Sequence, residues 1–256
     1  MAIHTNKGFL IVGGPTIVFD FGGLRFLSDP TFDQPTDYGL LQKTEPPAAR
    51  PEDLGPFDVT LISHDDHKDN LDCTGRTVAS TAAVIVSTHQ AAKTFGPAAI
   101  GLKAGESTTV KGVTIHAIPA LHGPADGQVD ARGFVNCEVL GFVLRSGDTT
   151  LYISGDNTSV ENVRSVAERF SPIDYAIMHV GRASVSAKFG GRPLSMSGTK
   201  AAQAAQLLGT RQVIAIHQTH WAHFTEGPEH TRHAFEEANM GDILDPTPLG
   251  TWGSWR

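Results

Sequence analysis

Two histidines and four aspartates are crowded into the nine residues from His64 to Asp72. Imidazoles and carboxylates gain nothing from packing together, and they repel or desolvate one another unless a cation lies among them. Nitrogen and oxygen donors without a thiolate suit zinc first, and manganese or iron next. The stretch therefore predicts a site for one or two divalent metal ions per chain, with zinc expected ahead of manganese or iron.

Three further candidate ligands, His122, Asp156 and His217, each follow the carboxyl end of a predicted strand, as His64 does. The four predicted strands are 57–62, 113–118, 149–154 and 212–216. Open α/β sheets bind their ligands in the crevice outside the carboxyl ends of the strands. We therefore expect these four side chains to face one shared cleft.

The elements that position these residues are separated by strong turn signals. Gly13-Gly14-Pro15 and Gly22-Gly23 divide three apolar segments, which predicts a β-meander at the start of the chain. Ser197 is the predicted N-cap of an alanine-rich helix that ends at Gly209. Residues 31–56 are rich in Pro, Asp, Thr and Gln without periodicity, and a loop of this length is often a functional lid.

Composition limits the class of protein. Hydrophobic residues make up 40% of the 256 residues, enough for a sizeable core, and one domain over residues 1–256 is expected. The net charge of -7 and the lack of a Lys/Arg cluster argue against nucleic acid as a partner. A small-molecule substrate is expected instead, and a homo-oligomer is left open.

Cysteine usage and the N-terminus bear on the compartment. Cys73 and Cys137 are too few for a disulfide framework, so we expect reduced thiols in a cytoplasmic protein. The first residues lack the pattern of a signal peptide. No apolar run approaches the roughly 20 residues that a membrane span needs, so no membrane partner is expected.

Several stretches resemble the metallo-β-lactamase superfamily of metal-dependent hydrolases, and most closely its branch that contains L-ascorbate-6-phosphate lactonase. The matching stretches are Gly22 to Pro30, residues 64–70, Leu121-His122-Gly123, Leu151 to Asp156, Val213 to His217 and Trp221 to Gly227. The resemblance implies an α/β (α+β) fold, the four-layer αβ/βα sandwich. In that fold two sheets pack face to face, and helices cover both outer surfaces.

The resemblance also implies which residue holds which metal. In the family, two histidines of an H-x-H-x-D-H loop and a third histidine further on hold the first metal, which gives His122 the third place. The Asp and last His of the loop and a final strand-end His hold the second metal, which assigns Asp69 and His217. A later Asp, here Asp156, bridges both metals. With His64 and His67 these are the predicted metal ligands, and Asp69 is also expected to orient the attacking water as a catalytic residue.

The loop departs from the family pattern, because it reads His-Asp-Asp-His-Lys-Asp-Asn over residues 64–70. Asn70 stands where the last histidine of the motif is expected. The second metal position therefore loses an imidazole, and a site richer in oxygen shifts the preference toward manganese or iron.

Two alignments of this loop are open. In the first, His67 and Asp69 take the second-histidine and aspartate positions, Asp65 takes the first-histidine position, and His64 lies one residue early. In the second, His64 keeps the first position, while Asp66 and Asp69 take the positions of later histidines. We prefer the first alignment, because the Leu-Asp pair that follows then matches the related branch.

These ligands predict a hydrolase that uses metal-activated water on a small ester, lactone or phosphorylated metabolite. One alternative is a non-catalytic domain of the same fold whose altered loop binds one structural metal or none. A second alternative is a nuclease of the superfamily, against which the acidic balance weighs.

The remaining histidines, three aspartates and three basic residues are candidates for other roles. His223 is predicted to be catalytic; with His220 it lines a substrate pocket beside Trp221 or forms an aromatic corner of the last loop. His179 is expected to pack or to support the ligands. Asp65, Asp66 and Asp72 are also consistent with a helix start. Arg182, Lys188 and Arg192 could bind an anionic substrate, although a solvated loop is favoured. His4, His89, His116, His230 and His233 are expected to be ordinary residues.

Overall fold

The computed structural model of the protein describes residues 8–256, and its elements follow the turn signals of the sequence. The strands are β1 (Phe9–Gly13), β2 (Thr16–Phe21), β3 (Leu24–Ser28), β4 (Thr36–Asp37), β5 (Gln42–Lys43), β6 (Val59–Leu61), β7 (Val84–Thr88), β8 (Ala99–Leu102), β9 (Ser107–Val110), β10 (Val113–Ala120), β11 (Val139–Ser146), β12 (Thr149–Ile153), β13 (Tyr175–His179), β14 (Gln212–Ile216) and β15 (Trp252–Gly253). The helices are α1 (Cys73–Ala79), α2 (His89–Phe95), α3 (Val160–Phe170), α4 (Gly198–Leu208) and α5 (Pro228–Glu237).

Two large sheets form the centre of the molecule. One has the strand order β15-β1-β2-β3-β6-β7-β8, and the other has the order β14-β13-β12-β11-β10-β9. The predicted meander is β1, β2 and β3, which pair antiparallel. From β3 onward the first sheet is parallel through β6, β7 and β8. In the second sheet β12, β13 and β14 are parallel, and β10 runs the same way because β11 is antiparallel to both β10 and β12.

The two sheets enclose a common core. Their inner faces contribute fully buried residues such as Phe19 and Phe26, whose rings stack at 5.0 Å, opposite Phe142 and Ile177. Each such side chain stabilises the fold by about 1.5–3 kcal/mol on burial. A shift of one residue in the pairing of two strands would turn every side chain to the opposite face of the sheet. The register of these strands is therefore strongly specified.

Helices cover both outer faces. Val163 of α3, Ala201 of α4 and Phe235 of α5 pack against the second sheet in one cluster. Val78 of α1 packs against the outer face of the first sheet, and α2 lies over β7 and β8 on the same side. The arrangement is helix, sheet, sheet, helix, which confirms the predicted four-layer αβ/βα sandwich.

The carboxyl ends of the parallel strands meet where the two sheets approach each other. Ser63, directly after β6, accepts a hydrogen bond from Leu140 N of β11 across the sheets (3.0 Å). The edge of the molecule that carries the predicted ligands is therefore continuous from one sheet to the other. No helix within residues 8–256 has the length and apolar character needed to cross a membrane.

The long loop of residues 31–56 contains two short strands that the sequence did not predict, β4 and β5. Backbone hydrogen bonds fasten β5 and its neighbour to the loop after β14, from Thr44 N to His220 O (2.7 Å) and from Ala222 N to Gln42 O (3.0 Å). Lys43 is buried beneath it and pairs with Asp72 at 3.2 Å. This loop is thus packed onto the segment that carries His223.

Asp72 behaves as the helix-start interpretation predicts. Its carboxylate accepts a hydrogen bond from Gly75 N and is the N-cap of α1. The expectations about a signal peptide and about His4 concern residues 1–7, which lie outside the described part of the chain.

Candidate metal centre

Three imidazoles converge at the junction of the sheets. His64 lies three residues after the end of β6, and His67 is three residues further along the same loop. His122 lies two residues after the end of β10. His67 Nδ1 is 3.1 Å from His64 Nε2 and 3.2 Å from His122 Nε2. Three ring nitrogens that face one another at this distance have room for one cation between them. We call these three residues the first cluster.

The first cluster is held from behind by hydrogen bonds. His122 Nδ1 donates to the carbonyl oxygen of Leu194 at 2.8 Å, which leaves Nε2 free to face the cluster. His64 Nδ1 lies 3.0 Å from Ser63 Oγ, and Asn70 Nδ2 donates to the same hydroxyl at 3.3 Å. Such partners set the tautomer and the ring orientation of metal-binding histidines.

A second group, which we call the second cluster, comprises Asp69, Asp156, His217 and His223. His217 Nε2 is 3.5 Å from Asp69 Oδ2 and 3.4 Å from Asp156 Oδ1, and His223 Nε2 is 2.9 Å from Asp69 Oδ2. Asp156 also lies beside the first cluster, with Oδ2 3.9 Å from His122 Nδ1. Asp156 therefore lies beside residues of both clusters, and in the first cluster it approaches the nitrogen that donates to Leu194.

His179 supports this carboxylate, as one of its two predicted roles requires. Its Nδ1 lies 2.9 Å from Asp156 Oδ1, and its ring stacks on that of His217 with centroids 5.2 Å apart. Its Nε2 is 3.6 Å from Asp29 Oδ2. Asp29 follows β3 and also accepts from Ser63 N at 2.7 Å, so it fastens the loop that begins at His64.

Charge in the clusters favours a cation. Burial lowers the pKa of His67 to about 3 and the pKa of His64 well below its ordinary value, so both offer lone pairs at neutral pH. Burial opposes ionisation of Asp69 and Asp156, but neighbouring His223 and His217 hold the pKa of Asp69 low, and His217 and His179 that of Asp156. Burial opposes protonation of His217, but Asp156 and Asp69 raise its pKa, so this imidazole would release a proton when it binds a metal.

Several of these buried atoms have no partner of their own. Within residues 8–256, Asp69 Oδ1, Asp156 Oδ2 and both ring nitrogens of His217 make no hydrogen bond. Buried polar groups without partners cost about 1–3 kcal/mol each and call for an explanation. A metal ion bound by one ring nitrogen of His217 and by the carboxylates would give several of these atoms a partner, so the residues present fit the predicted cation.

The structure differs from the preferred alignment of the loop at one position. Asp65 does not face the clusters, because it pairs with Arg76 at 2.9 Å. The imidazole beside His67 comes from His64, and the extra residue between them is taken up by the loop. The second alignment keeps His64 in the first position, which agrees with its place beside His67. It gave the next histidine position to Asp66, which lies 3.8 Å from Arg132, and it left out His67.

A pocket opens over the two clusters. It is lined by Leu40, Leu41, His67, Asp69, His122, Ala183, Val185, Lys188, Leu194 and His223, and it encloses about 80 Å³. Leu40 and Leu41 belong to the 31–56 loop, so this loop lies over the site as a lid would. Apart from the polar residues of the clusters and Lys188, the walls are apolar.

Lys188 departs from the favoured expectation of a solvated loop. It is half-buried, and its Nζ lies 3.1 Å from His67 Nε2 and 2.9 Å from Asn136 Oδ1. Arg182 and Arg192 point elsewhere, to Glu226 at 3.8 Å and to Asp126 at 2.7 Å.

The remaining histidines lie outside the clusters. His220 is buried against Gly13, where an added Cβ would come within 2.5 Å of its Nε2, so it is part of the packing and not of the pocket. The others occupy strand, helix or surface positions away from the site: His89, His116, His230 and His233.

Sequence reasoning did not identify Asp29 or Cys137 as part of this region, and it named Lys188 only as one of three basic residues that could bind an anionic substrate. Cys137 is buried, and its sulfur lies within 4.8 Å of nitrogens of the first cluster. Asp29 directly follows β3, so the reasoning that selected His64 at the carboxyl end of a strand would have selected Asp29 as well. Lys188 and Cys137 lie in loops, and no periodicity marks them.

Residues 24–218 match the family described as the Beta-lactamase superfamily domain. Since this match covers well over half of the chain, the chain belongs to that family. It is a metal-dependent hydrolase of the β-lactamase superfamily.

Named relatives agree with this membership. The chain is 28% identical over 204 residues to a UPF0173 metal-dependent hydrolase of Pyrococcus horikoshii, a match that covers 78% of this chain and 83% of the relative. A possible metal-dependent hydrolase from Veillonella parvula superposes with a TM-score of 0.82 at 17% identity, covering 95% and 97% of the two chains. An isothiocyanate hydrolase from Delia radicum gut bacteria superposes with a TM-score of 0.78 at 20% identity, covering 93% and 94%. The narrower likeness to L-ascorbate-6-phosphate lactonase stays a prediction.

Proposed function

We propose that this protein hydrolyses a small ester, lactone or phosphorylated metabolite at a two-metal centre. His64, His67 and His122 would hold the first ion, and Asp69 and His217 the second, with Asp156 between them. The observation that carries the proposal is the pair of donor clusters, with Asp156 close to both, of which His67, His122, Asp69 and His223 line one pocket.

A divalent ion bound at such a centre lowers the pKa of a coordinated water to about 7 and takes up negative charge that develops on the substrate. The protein's own groups do the rest. Asp69 lines the pocket, and its low pKa keeps it an acceptor that can orient the attacking water through the unpartnered Oδ1. Lys188 presents a positive charge at the same wall, where it can donate to an oxygen that becomes negative.

Pocket size and lining favour a small substrate. Ligand pockets of proteins usually enclose about 300–1,000 Å³, and this one encloses about 80 Å³. Leucine, valine and alanine side chains form half of the lining, so the substrate body is apolar, with one negative or developing negative group toward Lys188. A small acyl ester or lactone meets these requirements more simply than a nucleic acid, which supports the small-molecule alternative over a nuclease.

The donor atoms of the two clusters bear on the choice of metal, and the two cysteines bear on the compartment. Three imidazoles in the first cluster favour zinc, whereas the two carboxylates of the second cluster accept manganese or iron as well. Cys73 and Cys137 form no disulfide with each other. That finding is compatible with the reducing cytoplasm that we propose as the compartment.

The proposal is tested by metal analysis and turnover on the full chain. The protein is stripped with a chelator, reloaded with zinc, manganese or iron, and assayed on neutral and anionic acetate esters, small lactones and phosphate esters. We expect up to two metal equivalents per chain and hydrolysis that depends on them. A chain that stays metal-free, or that hydrolyses nothing after reloading, would establish the non-catalytic alternative, and filter binding with RNA and DNA tests the nuclease.

Lys188 provides a prediction about specificity. Changing Lys188→Met keeps the length of the side chain and removes its charge. A hydrogen bond to a charged group contributes about 1.5–3 kcal/mol, so we expect KM to rise roughly 10-fold or more for an ester that carries a carboxylate. The neutral ester of the same size should change much less.

The matched control for this variant is Arg192→Met, which removes a charge from the same loop at a residue that faces Asp126 on the surface. Steady-state kinetics on the two esters provide the comparison. Equal changes in KM for both esters would mean that Lys188 has no contact with the charged group.

A further inference from the structure

Asn70 leaves the second cluster one imidazole short of the loop pattern that this chain resembles. Its side chain is fully buried and donates to Ser63 Oγ, which in turn contacts His64 Nδ1. Asn70 therefore supports a residue of the first cluster from behind. If the second cluster has two imidazoles, the other one must come from another part of the chain.

His223 lies where that imidazole is needed. Its Nε2 is 2.9 Å from Asp69 Oδ2, the same oxygen that is 3.5 Å from His217 Nε2. The side chain of His223 is 8% exposed, and its Nδ1 makes no hydrogen bond to any residue of the described chain. Two imidazoles from the loop after β14 thus approach one carboxylate oxygen. His223 is 154 residues from Asp69 along the chain.

The separations match those of ligands around a single ion. Nitrogen and oxygen ligands lie about 2.0–2.2 Å from a tetrahedral zinc ion, which puts neighbouring ligand atoms roughly 3.3–3.6 Å apart. The separations of His217 Nε2 from the two carboxylates, 3.5 and 3.4 Å, fall in this range, and that of His223 Nε2 from Asp69, 2.9 Å, is slightly shorter. The 2.9 Å separation is that of a hydrogen bond, which the ring would exchange for a bond to the ion.

The loop after β14 holds His223 in this place. The His223 carbonyl accepts a hydrogen bond from Ser184 N at 2.9 Å. The ring of Phe224 packs against both imidazoles, with its centroid 4.3 Å from that of His217 and 4.6 Å from that of His223. This packing restricts both rings before any ion binds, which lowers the entropic cost of binding.

We infer that His223 is a ligand of the second metal and replaces the histidine that the loop lacks at Asn70. The inference rests on the proposed two-metal centre. It makes His223 the fourth protein ligand of the second metal, beside Asp69, Asp156 and His217. It differs from the predicted catalytic role, in which His223 lines the substrate pocket and is not a metal ligand. A ligand changes metal affinity when removed, whereas a residue that only lines the pocket changes turnover alone.

The test is a metal titration of the full chain. Wild-type protein and the variants His223→Ala and His233→Ala are stripped and titrated with Zn²⁺ against a chromophoric chelator, and with Co²⁺ followed by visible absorption. His233 is a matched control, because it lies on the exposed face of α5 and pairs only with Glu237 among the contacts of its side chain. A fourth protein, Asn70→His/His223→Ala, asks whether a loop histidine restores the lost site.

We expect the wild type and His233→Ala to take up two equivalents. His223→Ala should keep the first and lose at least about 100-fold in affinity for the second, since even the loss of an indirect partner costs 10–100-fold. Recovery of the second equivalent in Asn70→His/His223→Ala would support the replacement directly. If circular dichroism shows that His223→Ala is unfolded, His223→Gln repeats the titration.

Two equivalents at wild-type affinity in a folded His223 variant would overturn the inference, even if turnover fell. So would a wild type that binds a single equivalent. The proposed function fails in a different way, through a wild type that binds two ions and hydrolyses no substrate of the panel. That result would leave the effect of His223 on the titration intact.

Discussion

Asp156→Ala is expected to reduce hydrolysis to the background rate and to release metal from both clusters. Asp156 is fully buried and lies within 4 Å of a histidine of each cluster, so it is the carboxylate that the two proposed metal positions share. Without it, the two proposed metal positions lose the negatively charged carboxylate that lies between them. The pKa of the attacking water then returns from about 7 toward the 15.7 of free water.

The fold should survive this change, because Asp156 lies in a loop after β12 and contributes no apolar packing. Asp148→Ala is the matched control, since it makes the same substitution in the exposed turn at the other end of the β11–β12 hairpin. Metal content by mass spectrometry, turnover and a circular dichroism melt measure the outcome. Full metal content in Asp156→Ala would show that this carboxylate does not bridge the clusters.

Asp72→Ala should produce the largest loss of stability. One carboxylate there accepts hydrogen bonds from Gly75 N, Phe32 N and Asp33 N at 2.7–3.0 Å, and it pairs with the buried Nζ of Lys43 at 3.2 Å. Removing one partner of a buried ion pair costs about 3–5 kcal/mol, because the other charge stays buried. For a chain of this size each kcal/mol lowers Tm by roughly 2–4 °C.

We therefore expect a fall in Tm of roughly 6–20 °C for Asp72→Ala, measured by circular dichroism and by urea unfolding. Asp53→Ala, which breaks the exposed Arg50–Asp53 pair, should change the free energy of unfolding by at most about 1 kcal/mol. Asp72→Ala combined with Lys43→Met should recover part of the loss, since no unpaired charge then remains. A single variant as stable as Asp53→Ala would show that Lys43 finds other partners.

Much of the fold was predictable because its signals are local. The turn signals Gly13-Gly14-Pro15 and Gly22-Gly23 lie at the boundaries of β1, β2 and β3, as the predicted meander requires. Ser197 caps α4 through Lys200 N, and the helix ends at Gly209 in the left-handed conformation, as expected. By contrast β8 and β15 were missed. β15 is a strand only because Trp252 and Gly253 pair with β1, and two residues carry no periodicity.

The candidate site divides in the same way. Positions at strand ends identified His64, His122, Asp156 and His217, because the direction of a strand and the turn that follows it are written in neighbouring residues. Which side chains come into contact depends on segments that are far apart in the sequence. Asp65 turned to Arg76 and not to the clusters, and this could not be read from the loop.

The amino-acid sequence by itself determined the family, the order of the strands along the chain and most of the residues that the strand ends present, since all of these depend on short-range pattern. Only the tertiary structure decided that His223 lies beside Asp69, that Lys188 faces His67 and that the 31–56 loop covers the pocket. The physical reason is that packing of two sheets brings their edges together, and the distances between side chains on separate edges follow from that packing and from no local preference.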